Sequence, residues 1–416
     1  MDPMDGGRGD PVGEPFNTRF DQFRVDMTEF DVLLTGDIWD AERGREPGRW
    51  LAVKDGVIEG LYERRPGEAA VEADYPLITP GLIDMHVHLV WDGSPDPVPT
   101  LRLESTQELV IRAIENCRRQ LNGGVTTVRD VGSVDDIAVT VAEAIRAGRL
   151  GGPRVFASGR TVIIPNGHDP FWGLECSGAE ACRAAVRELR GEGADLIKVS
   201  STGGVYGQAV GEDPGNAELS RPELMAIVEE ADRFGLPVAA HAVGAEGIAN
   251  AVAAGVSTLE HGNLMTDGTL GDLIERDIAY DPTLYVYREI ARDGGNAPAY
   301  ARKNAQGVVD RHWEVFETAL DRNTRIIAGS DAGSPDTPHP SIDRELRCLV
   351  EGGMTPEEAL TAATLTNARE LGRAGLGTLD PGSPADVIGF SADPLADIEA
   401  IETVSRVVSR GRVVSR

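Results

Sequence analysis

Two of the seven histidines in this 416-residue chain, His86 and His88, stand one residue apart in Asp84-Met85-His86-Val87-His88. A strand alternates its faces with a period of two, so both imidazoles fall on one face. Side-by-side imidazoles have few packing uses, but neutral ring nitrogens suit a divalent ion. Three further residues end short apolar stretches of strand character: His241 in PVAAHAV, His261 in STLEHG and Asp331 in IIAGSD. If these stretches are parallel strands of one barrel, nitrogen and oxygen ligands from five places in the chain gather at one rim, the end where barrel enzymes build their active sites.

Lys198 is the sharpest clue. It interrupts the apolar stretch Asp195-Leu196-Ile197-Lys198-Val199, where an unpaired ammonium carries a desolvation penalty of several kcal/mol. Of the 40 cationic residues only Lys54, Lys198 and Lys303 are lysines. A chain that uses arginine almost everywhere else keeps a primary amine at this position. Desolvated and neutral, that amine can add CO2 to become N6-carboxylysine, whose two oxygens can bridge two metal ions; a guanidinium cannot do this.

The elements that must hold these residues are legible as eight strand candidates, GLIDMHVHL, GVTTVRDVG, RVFASG, DLIKVSS, PVAAHAV, STLEHG, IAYDPTL and TRIIAGSD, separated by amphipathic helical stretches. That alternation predicts an α/β fold, a (β/α)8 TIM barrel, over residues 77–372. No G-x-G-x-x-G fingerprint supports the doubly wound alternative. Residues 27–76 and 373–416 read as strands too few to close a core separately; they are expected to combine into one small β-sandwich. Asp55-Gly56 between alternating apolar residues predicts a hairpin turn. Residues 1–26, rich in Gly, Pro and Asp without a hydrophobic period, are expected to be a disordered tail; Met27 directly after them is an alternative start.

Composition narrows the partners. The formal charge is −28 and the pI about 4.6, so most of the surface repels phosphate backbones and anionic lipid; neither nucleic acid nor a membrane is expected as a partner. No apolar run approaches the roughly 18 residues of a membrane span, and no signal-peptide layout opens the chain. A cytoplasmic enzyme acting on a small-molecule substrate is the expectation, and a homo-oligomer is compatible with it. Acid excess with arginine in place of lysine also fits a salt-rich cytoplasm, whose ions screen self-repulsion. Four cysteines without a C-x-x-C pair are read as reduced and in packing roles.

The stretches ITPGLIDMHVHL, GVTTVRDVG, DLIKVSSTGGV, AAHAVGAEGIANAVAAGVSTLEHG, AGSDAG, GMTPEEALTAATLTNARELG and LGTLDPGSPADVIGF resemble the amidohydrolase superfamily, in its imidazolonepropionase-related branch with metal-dependent dipeptidases of prolidase type and ochratoxinase-like amidases. The resemblance spans nearly everything from about Asp31 onwards. It implies a binuclear centre: His86, His88 and Asp331 on the more buried ion, His241 and His261 on the more exposed one, and carboxylated Lys198 between them. Zinc is the expected metal, with manganese and cobalt suited to the same donors. Paired ions lower the pKa of a shared water, and the resulting hydroxide would attack an amide or dipeptide-like C–N bond while Asp331 carries a proton to the leaving nitrogen. His168, in a Gly-His element whose usual second glycine is Asn166 here, would stabilise the developing oxyanion. Specificity is expected from Tyr206 after the fourth strand and from Tyr285 and Arg288 after the seventh, with Tyr287 beside them. Arg288 would either clamp a substrate carboxylate or be one more surface arginine. Cyclic-amide hydrolysis or deamination on the same metals is the alternative activity, followed by a non-catalytic member of the fold. His339 is expected in support of the metal site or in loop packing, His312 in a structural role, and Trp91 and Trp172 in the pocket wall or core.

Overall fold

The computed structural model describes residues 28–207 and 213–415; the expected N-terminal tail, and part of the loop after DLIKVSS, lie outside the described residues. The chain opens with β1 (Phe30–Asp40), β2 (Gly44–Lys54), β3 (Val57–Tyr62) and β4 (Ala69–Pro80). The central strands are β5 (Leu82–Val87), β6 (Val125–Asp130), β7 (Arg154–Ala157), β8 (Thr161–Ile163), β9 (Gly173–Glu175), β10 (Ile197–Ser200), β11 (Val238–Ala242), β12 (Thr258–His261) and β13 (Ala279–Asp281). The chain closes with β14 (Val387–Phe390), β15 (Val404–Ser409) and β16 (Arg412–Val413).

The two ends meet in one seven-stranded sheet of order β16-β15-β14-β4-β1-β2-β3. β2 turns into β3 at Asp55-Gly56, both left-handed at φ 51° and 85°, as the two central residues of a type I′ hairpin must be. Val32, Leu34, Leu51, Val53, Ile58, Ile78, Val387 and Val408 form a core of their own there.

All central pairings are parallel, in a three-stranded sheet β5-β6-β7 and a six-stranded sheet β13-β12-β11-β10-β8-β9. β5, β6 and β10 to β13 are buried at every position, as parallel strands covered by helices on their outer face must be. The covering helices begin at sequence-encoded caps. Ser105 and Glu108 form a reciprocal box at the start of Thr106–Asn122, and Ser220 and Glu223 do so at the start of Arg221–Asp232. The last expected strand, TRIIAGSD, is extended chain with two isolated bridges, Tyr280 to Ile326 and Val87 to Ala332. Ile327 donates to the Tyr280 carbonyl at 2.9 Å on one side; Met85 donates to Ala328, Asp331 to His86 and His88 to Ala332 at 2.8–3.0 Å on the other. This segment therefore joins β13 to β5. The short pair β8 and β9 is an insertion that the alternation of strands and helices did not foretell.

Asn367 pins that junction. Its amide donates to the carbonyls of Ile83 and Ala328 at 2.8 Å and accepts the Ala328 N–H at 3.1 Å, all fully buried. Truncation removes three buried hydrogen bonds and leaves the Ala328 N–H without its partner. Asn367→Ala is expected to lower stability by about 2–4 kcal/mol, measured by urea unfolding at fixed salt; a loss below about 0.5 kcal/mol would show that the junction is held elsewhere.

Candidate metal centre

The parallel strands deliver their polar residues to one place. β5 carries His86 and His88 lies just past its end, β10 carries Lys198, β11 carries His241, β12 ends on His261, and the segment joining β13 to β5 ends on Asp331. Ring centroids stand 5.4 Å apart for His86 and His88, 5.0 Å for His86 and His261, and 4.6 Å for His241 and His261. Nitrogens of His86 and His261 and an oxygen of Asp331 all lie within 4.8 Å of one another. The Asp331 Oδ1 is 3.4 Å from His88 Nε2 and 3.8 Å from His86 Nε2. All six residues are buried and line one cavity.

The far nitrogen of each ring decides which nitrogen faces the cavity. His86 Nδ1 meets the Glu260 carboxylate at 2.9 Å, His88 Nδ1 the Gly132 carbonyl at 3.1 Å, and His261 Nδ1 the Thr283 hydroxyl at 2.7 Å. Facing oxygens that only accept, His86 and His88 donate from Nδ1 and offer a bare Nε2 inward, the tautomer that ligation needs; the Thr283 hydroxyl can donate to or accept from His261 Nδ1. His241 is reversed: its Nε2 lies 3.3 Å from the Gly203 carbonyl, leaving Nδ1 as the available donor. Four imidazoles with their outer nitrogens fixed, plus one carboxylate, are a donor set that fits divalent metal. Backbone geometry turns two of them inward, since His261 and Asp331 hold left-handed φ values of 69° and 56°, a conformation unfavourable for such residues that persists where surrounding structure enforces it. Gly329 is required beside them: a Cβ there would stand 2.2 Å from Asp281 Oδ2 and 2.6 Å from His86 Cβ.

Electrostatics favour neutral bases over a protonated cluster. Burial, then the Lys198 charge, pulls His86 down to about 4 against the pull of Asp331 and Glu260. Burial and neighbouring cations take His241 and His261 well below their usual value. His88 goes the other way, because the hydrogen bond and charge of Asp331 outweigh burial. Asp331, despite burial, is held well below the usual carboxylate range by His86 and His88. Burial also lowers Lys198, with Glu260 and Asp331 opposing, so the amine is biased towards the neutral, nucleophilic form.

The other residues singled out in the sequence divide. His168 lines the cavity and stacks on His241 with centroids 4.2 Å apart, its Nε2 3.3 Å from Asp169. Gly204 allows this approach, since a Cβ there would be 2.1 Å from the His168 ring. Tyr206 lines the cavity with its hydroxyl committed to Asp96 at 2.6 Å and to the Val98 N–H at 3.0 Å. Tyr285 and Arg288 are not among the lining residues; Arg288 pairs with Glu351 at 2.5 Å and Tyr285 accepts from Arg344 at 3.2 Å. Their helix, Leu284–Ala291, presents Val286, Tyr287 and Ile290 to the cavity instead. Trp91 lines the cavity, Trp172 stacks on His88, and His339 reaches the His88 carbonyl at 3.2 Å. His312 is buried under Tyr287.

Sequence reasoning passed over the group beneath the site. Arg129 on β6 donates from Nη2 to both oxygens of Glu260 at 2.9 Å and from Nη1 to Thr258 at 2.9 Å, and Asp281 lies 3.7 Å away. Arg129 keeps Glu260 ionised despite burial, so Glu260 can orient His86. Strand alternation puts Glu260 and His261 on opposite faces, so TLEH alone gave no sign of this support.

Convergent imidazoles and a carboxylate at the ends of parallel strands define a metal-dependent α/β enzyme. A family model described as "Amidohydrolase family" matches residues 77–414. Ochratoxinase of Aspergillus niger is 31% identical over 357 residues, spanning 79% of this chain and 72% of its own. Its crystal structure aligns at TM-score 0.81 and 27% identity over 92% of this chain and 95% of that one. A crystal structure of a Xaa-Pro dipeptidase with bound methionine in the active site aligns at TM-score 0.85 and 28% identity, over 92% of this chain and all of that one. A prolidase complexed with N-methylphosphonate-L-proline aligns at TM-score 0.84 and 27% identity, over 92% and 99%. The chain belongs to the amidohydrolase family, and metal-dependent hydrolysis of a carbon–nitrogen bond is its chemistry.

Glu260→Gln would present an amide to His86 and remove the charge that holds its tautomer. Metal affinity is expected to fall about 10–100-fold, measured by competition with a chromophoric chelator; unchanged affinity would show that Glu260 does not position His86.

Proposed function

We propose that the chain is a binuclear amidohydrolase cleaving an amide or dipeptide-like bond, with His86, His88 and Asp331 holding one ion, His241 and His261 the other, and carboxylated Lys198 shared between them. The observation that carries this reading is the set of inward-facing nitrogens fixed by partners on their far side, gathered around a buried lysine. When bound, a pair of divalent ions, zinc first, supplies an acidified water and polarises the scissile carbonyl. Asp331, an acceptor beside His86 and His88, takes the proton of the attacking water and returns it to the leaving nitrogen. His168, stacked on His241, donates to the carbonyl oxygen as charge develops there. Trp91, Val205, Tyr206, Val286, Tyr287 and Ile290 form an apolar wall, which suits a hydrophobic acyl or leaving group. No arginine is among the described lining residues, so substrate recognition rests on that wall more than on a carboxylate clamp at Arg288.

The supporting scaffold is a closed (β/α)8 barrel over 77–372, favoured by the hydrogen bonds on both sides of the Arg325–Ala332 segment, with 27–76 and 373–416 forming the sandwich-like sheet domain. We assign the enzyme to a cytoplasm, salt-rich in keeping with its charge of −28, and to small-molecule substrates. Among the described residues no helix is long and apolar enough to cross a membrane.

The test is turnover of N-acyl amino acids, capped and free dipeptides, cyclic amides and aminopurines by zinc-loaded protein in high-salt buffer. Highest kcat/KM on a hydrophobic linear amide is expected; activity on aminopurines alone would replace the reading with deamination. Lys198→Arg keeps the charge but cannot carry CO2, and is expected to lose at least about 1000-fold in kcat together with one of two bound ions. Wild-type turnover by this variant would remove the carbamate from the mechanism.

A further inference from the structure

Cys176 ends the stretch that carries His168, Asp169 and Trp172, and Cys182 lies in the first turns of the helix Ala179–Glu192. Six positions apart in sequence, their Sγ atoms stand 2.7 Å from each other, close to the ~2.05 Å of a disulfide and nearer than unbonded sulfurs ordinarily rest. Backbone hydrogen bonds hold both partners in place: Cys176 N–H to the Ile163 carbonyl at 2.8 Å and Cys182 N–H to the Gly178 carbonyl at 3.1 Å. The other two cysteines, Cys117 and Cys348, are buried singly, and burial pushes their thiols well up.

The pair is asymmetric in a useful way. Cys182 sits near a helix N-terminus, where the backbone favours a thiolate, and the hydrogen bond from Cys176 lowers it further against burial. Cys176 is 5% exposed and Cys182 fully buried, so Cys176 is the sulfur that a small oxidant meets first.

We propose that Cys176 and Cys182 are a redox-active pair that closes to an intrachain disulfide on meeting hydrogen peroxide, tying the His168-bearing stretch to the helix Ala179–Glu192. With peroxide, one thiolate attacks an oxygen, breaking the O–O bond and giving a sulfenic acid and one water. The second thiol then displaces the sulfenic hydroxyl as a second water. Two S–H bonds are lost, one S–S bond forms, and the two electrons reduce the peroxide. Trp172 packs against His88 four residues before Cys176, so the cross-link restrains a wall of the metal site.

Thiol titration of the denatured full-length protein should count four thiols before peroxide treatment and two after, with dithiothreitol restoring four. A peptide map should show the Cys176 and Cys182 peptides joined, with the mass falling by about 2 Da on cross-linking. Oxidised protein should melt about 1–4 °C higher than reduced protein, a difference absent in Cys176→Ser. Four thiols surviving the treatment, or linkage through Cys117, Cys348 or a second chain, would overturn the proposal; the wild-type map decides this even if the variant folds poorly.

Discussion

Each imidazole at the strand ends has two nitrogens, and the fold occupies the outer one. That single constraint turns a group of buried histidines into a set of inward-facing bases. The partners come from different parts of the chain: Glu260 for His86, the Gly132 carbonyl for His88, the Thr283 hydroxyl for His261 and the Gly203 carbonyl for His241. The cavity thus gathers three imidazoles that burial keeps neutral, and His88 drawn towards Asp331, around a carboxylate and an amine, a donor set suited to divalent ions.

The layer beneath keeps this set charged in the right sense. Arg129 neutralises Glu260, which would otherwise face desolvation alone, and Glu260 in turn orients His86. Asp84, pushed up to about 7 by burial, accepts from Ser330 and from the His86 N–H, tying β5 to the segment that ends on Asp331. Backbone strain at His261 and Asp331 is sustained by the same connections. The Asp84 bonds and the Asn367 junction thus hold the same two segments together, β5 and the chain that ends on Asp331.

Much of this was legible in the residues. The period of two in His86 and His88, the strand-end positions of His241, His261 and Asp331, and the solitary lysine in an apolar strand are local patterns that survive folding unchanged. The Asn166-Gly167-His168 turn likewise marked out His168, which lines the cavity. Pairings decided by tertiary position were not legible. Arg288 and Tyr285 follow the seventh strand as expected, but the helix that begins at Leu284 rotates them off the cavity towards Glu351 and Arg344 and puts Tyr287 there instead. Arg129 and Glu260 look like ordinary charged residues until folding brings β6 and β12 together. The cysteines looked scattered because β8 and β9 are too short to show a period, and it is that insertion which returns Cys176 to the helix carrying Cys182.

The most direct measurement is anomalous diffraction at the zinc edge from crystals of the zinc-loaded enzyme. The account predicts two peaks roughly 3.5–4 Å apart among His86, His88, His241, His261 and Asp331, with density for a carboxylate extending from Lys198 between them. One peak beside a bare Lys198 amine, or none, would contradict it.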